Sequence, residues 1–160
     1  MKALVQRVSE ASVSVNGQIV GQIAAGLLVY VGLEKADQDA DLEWLGRKVL
    51  GMRVFADEAG KMNLPLGERG LLLVSQFTHT GDLRRGQRPG FDSAMSVSQA
   101  RIWWPRVISF FQTRHHQVAT GEFQADMKVA SINDGPATFW LDSYSRTADK
   151  SFSASSFDNP

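Results

Sequence analysis

The sequence predicts an α+β domain in which a largely antiparallel or mixed sheet carries two main helices. Strand patterns occupy both ends of the chain and its middle, and two segments with helical spacing lie between them. This order of elements is typical of the α+β class. The chain has 160 residues, which is the length of one domain with a substantial core.

The first strands are indicated by a hairpin signal and by a short apolar run. Asn16-Gly17 separates Ser12–Val15 from Gln18–Ile23, and an Asn-Gly pair suits a two-residue turn because both of its positions need a positive φ. Leu27–Val31 is uniformly apolar. We therefore expect a buried strand directly after the hairpin.

Two amphipathic helices are predicted from apolar residues at helical spacing. The first should begin at Asp37, whose side chain suits an N-cap, and its apolar face consists of Leu42, Leu45, Val49 and Met52. The second should begin near Ser96, which can form a capping box with Gln99, and its apolar face consists of Ala100, Trp103, Val107 and Phe110. Pro105 lies inside it, and a proline in a helix interior costs about 3 kcal/mol. We expect a kink there, or a helix that restarts at Trp104.

The later strands and the end of the domain follow from the same reasoning. The remaining predicted strands are Arg53–Phe55, Leu71–Phe77, a segment at Val118, Met127–Ile132 and Ala137–Leu141. Beyond Asp142 the chain becomes rich in serine and loses all periodicity. Such a segment buries too little apolar surface to offset the entropy of ordering it. We expect a folded domain over residues 1–143 and a disordered tail over residues 144–160.

The composition excludes several classes of protein. Seventeen basic residues balance seventeen acidic ones, and 43% of the residues are hydrophobic, which excludes a disordered chain and a basic coat for nucleic acid. The absence of cysteine excludes a disulfide scaffold and thiol catalysis. No secretory signal is recognisable, and the longest apolar run is far shorter than the ~20 residues of a membrane span. We expect a cytoplasmic protein that binds neither membrane nor DNA.

The first candidate site is the segment Ser75-Gln76-Phe77-Thr78, which directly follows an apolar run. Hydroxyl, amide and backbone N–H groups at the rim of a sheet can meet a ligand. The spacing alone is equally compatible with a strand that turns into solvent. His79 follows the segment, so a hydrolase that uses Ser75 as nucleophile and His79 as base is one alternative. An exposed loop histidine is the other.

Two loops are further candidates. Asn133-Asp134-Gly135-Pro136 is a strong turn signal between two strand patterns, and an ordinary loop would account for it. The segment 84–91 places three arginines in a Gly/Pro loop and ends in an aromatic residue, Phe91. Phosphate pairing combined with base stacking uses these residue types. A solvated basic loop is the ordinary alternative.

Together and in this order, these segments resemble the D-aminoacyl-tRNA deacylases of the D-tyrosyl-tRNA deacylase type. The resemblance covers residue 1 to about residue 143. The matching segments are Met1–Val8, Gly26–Val29, Lys61–Leu64, Val74–Thr78, Arg88-Pro89, Thr120-Gly121 with Phe123, Ala125–Val129 and Asn133–Thr138. This family has a barrel-like arrangement of sheet layers with two main helices, and the resemblance implies the same fold here.

The resemblance also implies an activity, namely hydrolysis of the ester of D-aminoacyl-tRNA, with tolerance of glycine and no metal or other cofactor. It implies a homodimer in which Gly135 and Pro136, joined by a cis bond, enter the partner's active site and reject L-amino acids. Asn133 belongs to that turn, and Arg7 would orient it from behind.

The implied catalytic segment is Ser75, Gln76, Phe77 and Thr78, whose backbone N–H groups would polarise the ester while the 2′-OH of the RNA assists an attacking water. Phe123 and Met127 would bind the terminal adenosine. The chain departs from the family at His79-Thr80-Gly81, Gly90 and Pro105. A module that binds the tRNA end without hydrolysing it is a further alternative.

Overall fold

The computed structural model describes residues 1–84 and 86–145. Within them the strands are β1 (Lys2–Val15), β2 (Gln18–Ile23), β3 (Gly26–Gly32), β4 (Phe55–Ala56), β5 (Met62–Leu64), β6 (Gly70–Ser75), β7 (Val118–Thr120) and β8 (Met127–Asp142). The helices are α1 (Asp39–Gly51) and α2 (Val97–Gln112), with short 3-10 turns at Phe77–Thr80 and Ser143–Ser145. No helix in these residues is both long and apolar enough to cross a bilayer.

One mixed sheet forms the centre of the fold and confirms the predicted class. Its strand order is β2-β1-β3-β6-β7, and β8 pairs with β1. The pairs that involve β1 are antiparallel, whereas β3–β6 and β6–β7 are parallel. Gly21 of β2 approaches β7 so closely that a Cβ on it would lie 2.3 Å from the carbonyl oxygen of Thr120. The absence of a side chain at Gly21 thus lets the sheet curl into a nearly closed barrel.

The hairpin and the core follow the predicted pattern. Asn16 and Gly17 have φ values of 51° and 79°, and they join β1 to β2. Apolar residues of one sheet face, including Val29 and Leu73, pack against the two helices, which contribute Leu45, Val107 and Phe111 to the same core. Those of the other face fill the barrel, including Val8, Val13, Leu28, Leu72 and Val74. Burial of these side chains supplies the main driving force for folding.

The start of α1 differs from the prediction. The N-cap is Gln38, which forms a capping box with Asp41, and the predicted N-cap Asp37 lies outside the helix. Its carboxylate instead accepts hydrogen bonds from the Glu34 N–H at 2.8 Å and from the Met1 amino group. Burial raises the pKa of Asp37, and the neighbouring amino group opposes this rise. The Asp37 carboxylate therefore binds the Met1 amino group and does not cap the helix.

The second helix begins as predicted and continues where a break was expected. Ser96 is the N-cap and its Oγ accepts from the Gln99 N–H. The helix runs through Pro105 without a restart at Trp104. Arg101, the residue whose carbonyl Pro105 leaves without a partner, is exposed, as is Pro105 itself. Water can therefore satisfy that carbonyl, which lowers the cost of the proline.

The remaining differences concern strand ends. β6 ends at Ser75, so Phe77 lies in a 3-10 turn instead of a strand. The two strands predicted on either side of residues 133–136 are one continuous strand, β8. At the carboxyl end Tyr144 donates a hydrogen bond to Asp37 at 3.2 Å. Residues 146–160 of the expected tail lie outside the described residues.

Candidate active site

A cavity of about 650 Å³ opens where β6 ends, and it unites segments that are distant in sequence. Its walls include Ser75, Gln76 and Phe77 at the end of β6, Phe123 from the loop after β7, and Met127 from the start of β8. The volume is in the range of roughly 300–1,000 Å³ that is usual for small-molecule sites. The structure thus brings together most of the predicted catalytic segment and both predicted adenosine-binding residues.

The 3-10 turn after β6 presents backbone donors beside this cavity. The Gln76 N–H donates to the Val31 carbonyl at 2.8 Å and so fixes where the turn begins. Phe77 and Thr78 are the first residues of the turn, and N–H groups at the start of a helical turn have no partner within it. The Thr78 hydroxyl accepts a hydrogen bond from the Gln76 side-chain amide. Thr78 is exposed and is absent from the cavity lining.

The positions of Phe123 and Met127 are set by the loop between β7 and β8. The Gly121 N–H donates to the Leu73 carbonyl at 2.9 Å and ties this loop to β6. A Cβ on Gly121 would lie 2.6 Å from the Met127 sulfur. The glycine therefore leaves the space in which Met127 packs against the cavity.

Gly135 and Pro136 lie on β8, where the strand register beside β1 is irregular. Val8 pairs with Asn133, whereas Gln6 pairs with Thr138, so β8 has additional residues opposite Arg7. The Gly135–Pro136 bond is cis, and Gly135 has a φ of 124°, a value that favours glycine. The turn is exposed at the edge of β8.

Arg7 and Asn133 hold this turn in place. The Arg7 guanidinium donates to the Asp134 carbonyl at 3.1 Å and also to the Val54 carbonyl. The Asn133 amide donates to the carbonyls of Arg7 at 3.1 Å and Ala137 at 3.0 Å. These contacts tie Arg7 and Asn133 to the turn.

The turn and the cavity are far apart within one chain. The strand pairing aligns Arg7, opposite the turn, with Leu27 of β3 and Leu71 of β6. Ser75 lies four residues further along β6 than Leu71, which is about 13 Å at the rise of an extended strand. Along β8 itself, Val129 lines the cavity and precedes Gly135 by six residues, which is about 20 Å of extended strand. A single chain therefore does not bring Gly135 and Pro136 to the cavity.

His79 lies among aromatic side chains and is not hydrogen-bonded to Ser75. Its ring contacts Tyr30 and Trp140 edge-on, with centroid distances of 6.1 and 5.2 Å. Its Nε2 is buried and has no hydrogen-bond partner among the described residues. Burial lowers the pKa of His79, and the positive charge of Lys2 lowers it further. Both effects favour the neutral form of the imidazole.

Sequence reasoning did not assign the part of the cavity that belongs to the start of α2. Val97 and Ala100 line it together with Phe91. Ala100 was expected on the apolar face of the helix, and Phe91 closes the basic loop. The sequence does show an apolar residue, Val97, directly after the N-cap. Its place in the cavity is apparent only once α2 is positioned beside β6.

With this geometry established, comparisons with known proteins define the class. The D-aminoacyl-tRNA deacylase of Geobacter metallireducens is 50% identical over 145 residues, covering 89% of this chain and 96% of that protein. The relative of the same name from Kosmotoga olearia is 51% identical over 145 residues, covering 89% and 97%.

Solved structures show the same fold. The structure described as "c-Myc DNA Unwinding Element Binding Protein" superposes with a TM-score of 0.85 and 36% identity, covering 89% of this chain and 98% of that one. A probable eukaryotic D-amino acid tRNA deacylase gives a TM-score of 0.72 at 17% identity, covering 88% and 97%, and supports the fold alone. The protein thus has a D-tyrosyl-tRNA deacylase-like fold with a cavity of about 650 Å³ at the end of β6. The family model described as D-Tyr-tRNA(Tyr) deacylase matches residues 4–142, and the chain belongs to this family of hydrolases.

Proposed function

We propose that this protein hydrolyses the ester between a D-amino acid and the 3′ end of tRNA, and so removes wrongly charged D-amino acids in the cytoplasm. The observation that carries the proposal is the cavity at the end of β6. Backbone donors lie there beside an aromatic and a methionine side chain. An ester carbonyl and an unpaired base need these two kinds of partner.

Hydrolysis uses the 3-10 turn after β6 as an oxyanion hole. The N–H groups of Phe77 and Thr78 polarise the ester carbonyl, and Ser75 and Gln76 shape the cavity beside it. A water, oriented by the 2′-OH of the terminal ribose, forms the new bond to the carbonyl carbon. The bond to the ribose oxygen then breaks, and that oxygen takes up the proton that the attacking water has lost. The products are a free D-amino acid and tRNA. Donors placed in advance for the oxyanion typically contribute 10²–10³ in rate.

Phe123 and Met127 bind the terminal adenosine. A base that is not paired in a helix stacks readily on an aromatic face, and a thioether fills the remaining irregular space. Both side chains are partly buried around the cavity, so they present apolar surface to a ligand without being lost in the core. Binding of the adenosine by these two side chains positions the ester at the 3-10 turn.

Chiral selection comes from the Gly135–Pro136 turn of a second subunit. The turn is exposed, lies far from the cavity of its own chain, and is held by Arg7 and Asn133. Its two carbonyls hold the α-amino group of the substrate. A D side chain then points to solvent, whereas an L side chain strikes the turn, and glycine is accepted because it has no side chain. Discrimination of this kind works by exclusion, and it requires a homodimer.

The geometry disfavours the two alternatives. A Ser75–His79 hydrolase needs the imidazole within hydrogen-bond reach of the hydroxyl, whereas His79 lies between Tyr30 and Trp140. A binding module without activity would not need donors beside the aromatic side chain. The N–H groups that begin the 3-10 turn are those donors.

The test is single-turnover hydrolysis of D-tyrosyl-tRNA and of L-tyrosyl-tRNA without added metal. The proposal predicts rapid release of the D-amino acid alone. Binding without release from either substrate would indicate the binding module. Release from both would show that hydrolysis is correct and that the account of the Gly135–Pro136 turn is wrong.

A further inference from the structure

Two aromatic side chains form an exposed pair at the cavity. Phe77 is 61% exposed and Phe91 is 36% exposed, and their ring centroids are 5.0 Å apart with an angle of 58° between the planes. Exposed apolar side chains that cluster beside a cavity often mark a binding surface. The backbone of Phe77 is used in the proposed hydrolysis, but the mechanism assigns nothing to either ring.

The loop that carries Phe91 fixes the position of its ring. Asp82 and Gly90 exchange two backbone hydrogen bonds, at 2.8 and 2.9 Å, which close the loop directly before Phe91. The ring packs over Gly81, where a Cβ would lie 3.2 Å from the Phe91 Cε1. A platform that is held in advance loses little entropy when a ligand stacks on it.

The same loop offers a positive charge. Arg84 is bound to Asp82 by two carboxylate contacts at 2.7 and 2.9 Å, and this pairing lowers the pKa of Asp82 to about 2. The charge of Arg84 is therefore compensated. Arg88 is exposed, and no ion pair of its guanidinium is found within residues 1–84 and 86–145. It lies three residues before Phe91 in the chain, and its charge is available to a phosphate.

We propose that Phe77 and Phe91 form a stacking subsite for the unpaired nucleotide that precedes the terminal adenosine. Arg88 would lie near the phosphate that joins these two nucleotides. This inference rests on the proposed function, because it extends the same cavity by one nucleotide. All four side chains, Phe77, Phe91, Phe123 and Met127, line that cavity. A strand whose last base occupies the Phe123–Met127 part has its next base within the same cavity, where the Phe77–Phe91 pair provides an aromatic surface.

The test compares two substrates that differ by the nucleotides concerned. One is the D-tyrosyl ester of adenosine, and the other is the D-tyrosyl ester of the trinucleotide CCA. Phe91→Ala is expected to raise KM for the trinucleotide ester by roughly 5- to 100-fold, the range of base–aromatic stacking. It should change KM for the adenosine ester by less than about twofold, because that ester does not reach the subsite.

Two further variants sharpen the comparison. Phe91→Tyr keeps an aromatic face and should restore the trinucleotide KM. Leu83→Ala removes another exposed apolar side chain of this loop, 61% exposed, and should change neither substrate. Equal effects of Phe91→Ala on both substrates, or no effect on the trinucleotide, would overturn the subsite. Failure of the wild-type protein to hydrolyse either ester would instead contradict the proposed function.

Discussion

Thr78 contributes its backbone and not its hydroxyl in this account. The hydroxyl is engaged with the Gln76 amide and the residue is exposed, away from the cavity lining. The N–H begins the 3-10 turn and needs no particular side chain. The spacing of Ser-Gln-Phe-Thr could only suggest a site, and the resemblance implied the role of the backbone. The structure adds that the Thr78 hydroxyl is engaged with Gln76.

Two substitutions at this position separate the two groups. Thr78→Ala keeps the N–H, so kcat/KM for D-tyrosyl-tRNA should stay within about tenfold of wild type. Thr78→Pro removes the N–H and should lower kcat/KM by about 10²–10³, as loss of an oxyanion-hole donor does. Circular dichroism controls for folding. A loss of ~10⁴ with Thr78→Ala would restore the hydroxyl as nucleophile.

His79 should make stability depend on pH. Burial keeps its pKa in the folded state below the ordinary 6.5, so the unfolded chain takes up this proton first as the pH falls. Stability from this group is complete above about pH 6.5 and is lost between that value and the lower folded pKa. Urea unfolding of His79→Leu should lose this part of the pH slope, while kcat/KM stays within about tenfold.

His116→Ala is the matched control for that measurement, because its ring is 61% exposed. It should leave most of the slope in place. A slope that is the same in wild type and His79→Leu would show that His79 is not desolvated in the folded protein.

Among the elements, local signals were reliable where local chemistry decides the structure. The Asn16-Gly17 hairpin and the Ser96 N-cap were predicted because each depends on neighbouring residues. Asp37 was misassigned because a distant amino group binds it. The continuity of β8 could not be predicted, because pairing with the long β1 carries the strand past a turn signal.

Closure of the barrel depends on the close approach of β2 to β7 at Gly21. A methyl group there would lie 2.3 Å from the Thr120 carbonyl oxygen, so Gly21→Ala should lower the free energy of unfolding by about 1–3 kcal/mol, the usual cost of overpacking. Gly51 ends α1 with nothing within 4 Å of its Cβ position. Gly51→Ala should therefore raise that free energy by about 0.5–1 kcal/mol. Equal urea midpoints for the two variants would contradict the close approach of β2 and β7.

At the scale of the whole molecule, the Gly135–Pro136 turn is separated from the cavity, and this separation is the reason for a site shared between two subunits. Gly135 lies six residues along β8 from Val129, which lines the cavity, and six residues are about 20 Å of extended strand. The resemblance implied a site shared between two subunits, whereas composition and spacing alone could not indicate that one chain keeps the two segments apart. The proposed mechanism therefore requires a second copy of the chain to supply the missing half.

The measurement that tests this claim most directly is complementation between two chains that each hydrolyse D-tyrosyl-tRNA poorly. One lacks an oxyanion-hole donor, and the other lacks the ordered carbonyls that hold the α-amino group of the substrate. Thr78→Pro damages the oxyanion hole and keeps the turn, whereas Pro136→Ala damages the turn and keeps the oxyanion hole. The two chains are coexpressed with different carboxyl-terminal tags, and the heterodimer is isolated through both.

Such a heterodimer contains one complete site if the turn acts across the interface. We expect about half of the wild-type rate on D-tyrosyl-tRNA, with L-tyrosyl-tRNA still rejected. A heterodimer no more active than the mean of the two variant homodimers would contradict a site shared between subunits, as would the isolation of a fully active monomer.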